Sequence, residues 1–97
     1  MKSQNSDIEE QIIQKIKKLR LERNISQSAL GDILGISHGQ VGNIESPRFQ
    51  HKYTIKQIYT FCSFINYPFE QVFLSEKELS SKNHLKILIE KIINYDE

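Results

Sequence analysis

The side chains able to do chemistry in this 97-residue chain fall into one dense cluster and a few isolated positions. His38, Gln40 and Asn43 stand close together behind Ser37. Gln and Asn amides donate and accept at once, the pattern that pairs with the edge of adenine. Imidazole can donate to a guanine acceptor or a phosphate. Nothing comparable supports catalysis: there is no P-loop, G-x-G-x-x-G, H-E-x-x-H or G-x-S-x-G, and the carboxylates are scattered. His51 and His84 lack Cys or paired acidic neighbours at ligand spacing, so no metal, cofactor or catalytic residue is expected. The single Cys62 fits a small buried hydrophobe better than a nucleophile.

Short helices must position that cluster. Ser6-Asp7-Ile8-Glu9 has the form of a capping box and opens a helix expected over about 7–23, with Ile12, Ile16 and Leu19 on one stripe and Lys/Arg on other faces. Asn24 suits a left-handed helix end. Ser26 can cap a second helix carrying Leu30, Ile33 and Leu34, which Gly35 ends. Ser37 can cap a third running to about Glu45, with Val41 and Ile44 inward. Ser46-Pro47 stops it, since proline lacks an N–H and restricts the residue before it. Thr54 can cap a fourth helix ending near Asn66, and Pro68 can start a short fifth with Phe69, Val72 and Phe73. From Ser80 or Ser81 a last helix carries Leu85, Leu88, Ile89, Ile92 and Ile93 at helical spacing. The expected fold is all-α: a compact five-helix domain over residues 7–74, followed by an additional C-terminal helix over 80–95.

Short helix, Gly-containing turn, short helix over Ile25–Glu45 is a helix-turn-helix pattern. With Leu19-Arg20, Ser26-Gln27, Leu34-Gly35-Ile36-Ser37 and Val41-Gly42-Asn43-Ile44-Glu45, the chain resembles the Cro/repressor-type helix-turn-helix regulators, the xenobiotic-response-element family. The likeness continues through Thr54-Ile55, Ile58, Phe61-Cys62, Ile65 and Phe69–Phe73, covering about residues 12–74.

The resemblance implies a sequence-specific binder of double-stranded DNA whose third helix enters the major groove. His38, Gln40 and Asn43 would then contact bases. Gln27, with the N–H groups opening helix two, and Ser37, Arg48, His51 and Lys52 would contact the sugar-phosphate backbone, as Lys56 just beyond also could. Gly39 and Gly42 depart from the family pattern and weaken the recognition helix by about 1 kcal/mol each. Gly31, where the family usually has Ala, suggests tight packing between helices two and three. The expectation is a homodimeric repressor on a two-fold operator, the C-terminal helix being the candidate dimerisation segment, with Ile13 and Leu21 as further contributors. Two alternatives share the fold: the antitoxin of a toxin–antitoxin pair, with a toxin as protein partner, and an interaction adaptor that has lost DNA binding.

Composition agrees with a folded domain: 38% hydrophobic residues, 4 Gly and 2 Pro. The net charge of +1 hides its distribution. Residues 11–56 hold eight Lys/Arg against three Asp/Glu, net +5, between flanks of net −2 each. Local charge matters most to a phosphate backbone, because salt screens interactions beyond about 8–10 Å. No stretch approaches a membrane span and the first ten residues have no apolar signal core, so a cytoplasmic location is expected. The aromatic residues Phe49, Tyr53, Tyr59, Phe61, Phe64, Tyr67, Phe69 and Phe73 are expected to serve mostly as core or partner contacts.

Overall fold

The computed structural model describes residues 7–48 and 50–96, which are all-α, with no strand among them. They divide into two compact units, one ending at Tyr53 and one beginning at Thr54. Ser6, the expected cap of the first helix, and Phe49 lie outside the described residues.

The first unit contains α1 (Asp7–Glu22), α2 (Gln27–Leu34) and α3 (His38–Glu45). Ile12, Ile16 and Leu19 of α1 are buried, and so is Ile13, which the stripe spacing had left outside. At 0% exposure Ile13 is a core residue and cannot meet a partner chain as suggested above. Leu30, Val41, Ile44 and Tyr53 complete the buried apolar side chains of this unit. α1 ends where Asn24 takes a left-handed φ of 57°, and α2 ends on Gly35 at φ 73°, a region that side chains other than Gly and Asn rarely enter. Gly31 is fixed by space instead: a Cβ there would stand 2.7 Å from the Ile36 carbonyl oxygen, so the backbone entering α3 passes directly over it.

The second unit contains α4 (Ile55–Ile65), α5 (Glu70–Phe73), α6 (Glu76–Leu79) and α7 (His84–Asp96). Thr54 caps α4 as expected, with Gln57 returning a bond to close a capping box, and Asn66 ends the helix at φ 57°. Ile58, Phe61, Cys62, Val72, Phe73, Leu74 and Tyr95 are buried. Burial, helped by the Glu70 charge, pushes the Cys62 thiol up to about 11, so it is a neutral thiol at physiological pH. The short α6 was not anticipated, although Ser75 and Glu78 form the same reciprocal cap that marks α4. α7 begins at His84 instead of Ser80 or Ser81, because the intervening residues turn: the Ser81 hydroxyl accepts from the Asn83 N–H at 3.1 Å. Among the aromatics, Tyr53, Phe61 and Phe73 are core, while Tyr59 and Phe64 are exposed. No described helix is long and apolar enough to cross a membrane.

Candidate nucleic-acid interface

The first two helix starts in this region are built by hydroxyl caps. Ser26 is extended at φ −73° and ψ 167°, and its Oγ accepts from the Ala29 N–H at 3.0 Å. The Ser26 carbonyl accepts from Leu30. The N–H groups of Gln27 and Ser28 are thereby left as outward donors at the positive end of α2, a suitable seat for a phosphate oxygen.

Ser37 repeats the device for α3. Its Oγ accepts from the Gln40 N–H at 3.0 Å, and Gln40 Oε1 accepts from the Ser37 N–H at 2.9 Å. One of the three candidate base-reading side chains is therefore part of the helix start. Its Nε2 remains a donor, but a bidentate pairing with adenine requires Oε1 to release the Ser37 N–H. His38 and Asn43 are exposed, and no hydrogen bond within the described residues holds either side chain. Val41 and Ile44 face the opposite way into the core. α3 thus presents an outward face whose polar groups are His38, the free half of Gln40, and Asn43.

A buried ionic contact fixes the angle between the helices. Arg20, from the end of α1, gives Nε to Glu45 Oε2 and Nη2 to Glu45 Oε1, both at 2.8 Å. Its third nitrogen, Nη1, donates to the Ile25 carbonyl at 2.9 Å, which pins the turn before α2. Gln27 closes the set, donating Nε2 to Glu45 Oε1 at 3.1 Å. Both charged side chains are below 10% exposed, so Glu45 has lost most of its water. Burial alone would raise its pKa, but the hydrogen bonds from Arg20 and Gln27 with the charges of Arg20 and Lys17 outweigh it and hold the carboxyl below its usual range. The bond to Glu45 likewise raises Arg20 against the opposing effect of burial. Gln27 therefore spends one of its two amide N–H groups inside the protein.

The loop after α3 holds the other expected backbone contacts. Arg48 is exposed, its N–H bonded to Ser46 Oγ at 3.1 Å, and His51 is exposed too. Lys52 gives Nζ to Glu9 Oε2 at 3.0 Å, so it ties the loop back to α1. Lys56 belongs to α4 in the second unit. Of the eight cations counted in residues 11–56, five lie at or just past α1, and Arg20 among them is neutralised by Glu45. The positive charge sits mainly on α1 and the loop, and α3 itself offers only neutral polar groups and His38 outward.

Several partners of these residues were not anticipated from the sequence. The Arg20–Glu45 pair joins residues 25 apart, for which no local spacing gives a signal. Gln40, three residues after Ser37, carried a readable one: S-x-x-Q is a capping box. Residues 16–48 match a family model described as Helix-turn-helix. No curated protein and no solved structure matches the chain.

Proposed function

We propose that this chain, whose residues 16–48 match a helix-turn-helix family model, is a sequence-specific DNA-binding repressor acting as a dimer on a two-fold operator. The observation that carries this reading is the outward face of α3, where His38 and Asn43 have no hydrogen-bond partner among the described residues while the helix under them is held by the Arg20–Glu45–Gln27 contact. Such a face, rigid behind and unsatisfied in front, suits the major groove.

In this reading Asn43 pairs with an adenine edge, His38 donates to a guanine acceptor or a phosphate, and Gln40 adds one donor through Nε2. The N–H groups of Gln27 and Ser28, with Ser37, Arg48 and His51, grip the backbone and set the register, and Lys52 joins them on releasing Glu9. In this reading repression follows from occupancy of the operator, which excludes other proteins from the same DNA. Two copies would address half-sites about 34 Å apart.

Selection of bound duplexes from a random pool tests the proposal. A recovered sequence with two-fold symmetry supports it. Recovery of no consensus removes sequence-specific reading, and a consensus without symmetry removes the dimer.

A further inference from the structure

α7 has two unlike faces. One is committed to its own unit: the Tyr95 ring is 2% exposed and meets Phe73 edge-on at 5.7 Å, and Lys91 Nζ reaches the Phe73 carbonyl at 3.1 Å and Glu78 Oε1 at 2.8 Å. Leu88 and Ile92 are half-buried beside them. The other face carries Leu85, Ile89 and Ile93 at i, i+4 and i+8, exposed by 62%, 54% and 54%. A continuous apolar row about 12 Å long, on a helix already anchored from behind, is left without cover.

Charges around this row indicate what covers it. Lys82, in the turn that leads into α7, lies three residues before Leu85, and Asp96, the last residue of α7, three residues after Ile93; both are exposed, and neither is in an ion pair among the described residues. Ile89 is therefore the centre of a sequence that is self-complementary when read in opposite directions. A two-fold axis through Ile89 sets Ile89 on its own copy, Leu85 on the partner's Ile93, and Lys82 on the partner's Asp96. Lys86 and Glu90, exposed on one flank, then lie near the partner's Glu90 and the partner's Lys86. A parallel arrangement would instead bring Lys82 against the partner's Lys82 and Asp96 against the partner's Asp96, placing like charges together at both ends.

We propose that α7 is an antiparallel dimerisation helix whose occupant is a second copy of this chain, joined through Leu85, Ile89 and Ile93 and kept in register by Lys82 and Asp96. Its role rests on the dimeric reading above, since it supplies the two-fold axis that such an operator needs. Its test uses no DNA, so either reading can fail alone. The interface is small, which suits a dimer that is weak in solution and completed when two linked half-sites raise the effective concentration.

Sedimentation equilibrium of the full chain is the experiment. The unmodified chain is expected to dimerise, and Ile89→Lys to be monomeric with unchanged helical circular dichroism, the residue being exposed. Lys82→Glu and Asp96→Lys should each weaken the dimer about fivefold, and the K82E/D96K double variant should recover it, because exposed ion pairs contribute modestly and opposite charges are restored. A monomeric wild-type chain, or a dimer that survives Ile89→Lys, overturns the interface. Loss of dimer in Ile89→Lys without recovery in the double reversal overturns the antiparallel register.

Discussion

Arg20 and Glu45, one near the end of α1 and the other at the end of α3, meet through two parallel hydrogen bonds of 2.8 Å in a setting where both side chains are below 10% exposed. This pair joins the first helix to the last turn of the helix that carries the candidate reading face. Gln27 on the same carboxylate brings in α2, so three helices converge on one side chain.

Removing one partner alone should be costly. Arg20→Met or Glu45→Met leaves the opposite charge buried without its counter-ion, and each is expected to lower stability in urea unfolding by about 3–5 kcal/mol. The Arg20→Met/Glu45→Met double variant removes both charges and should lie much closer to wild type. A double variant as unstable as the singles would contradict this account of the pair.

The same contact sets a pH dependence. Glu45 is held below its ordinary pKa in the fold and returns to it on unfolding, so the unfolded chain binds this proton more readily. The contribution of Glu45 is present above the ordinary carboxylate range and is lost as pH falls through that range and below. Glu78, lowered chiefly by the hydrogen bond from Lys91, acts in the same direction. Thermal unfolding followed from neutral to acid pH should show a falling Tm, and the fall should be shallower in the double Met variant.

The helix glycines should respond oppositely to alanine. A Cβ at Gly42 would have Gln27 Oε1 as its nearest neighbour at 3.7 Å, an ordinary contact, so Gly42→Ala should stabilise α3 by about 1 kcal/mol. Gly31→Ala places its Cβ 2.7 Å from the Ile36 carbonyl oxygen and should destabilise the chain. If Gly42→Ala nevertheless binds DNA less well, close approach of the α3 backbone to the groove is the explanation.

Asn43 and Gln40 should separate in their effects. Asn43→Ala is expected to reduce discrimination between the selected duplex and a random one by roughly 1–3 kcal/mol while leaving stability unchanged. Gln40→Ala should also cost stability, because its Oε1 caps the Ser37 N–H. Competition binding and urea unfolding on both variants distinguish the two roles.

Local chemistry made much of this legible in the residues themselves. Ser26, Ser37 and Thr54 cap the helices they precede, and Asn24 and Gly35 adopt the left-handed conformations that end α1 and α2. Each of these depends on a few neighbouring atoms. Ser75-x-x-Glu78 was equally local, but it heads a helix of only four residues with no apolar stripe to draw notice. Non-local arrangements were beyond such reasoning. Ile13 gave no sign of which side of α1 was core, Lys52 none that it would turn to Glu9, and Gln27 none that it would donate to Glu45. The apolar row of α7 was visible as a stripe; that Leu88 and Ile92 turn partly inward while Leu85, Ile89 and Ile93 remain exposed depends on where Tyr95 and Lys91 anchor the helix.

The central claim is that α3 reads double-stranded DNA, and the most direct measurement is affinity for the selected duplex across a range of salt concentrations, in wild type and Asn43→Ala. The account predicts an affinity that falls steeply with salt, as phosphate contacts release counterions, together with a selective loss in the variant for the selected duplex over a random one. Binding that is negligible and insensitive to salt, or an Asn43→Ala variant that weakens both duplexes equally, would contradict it.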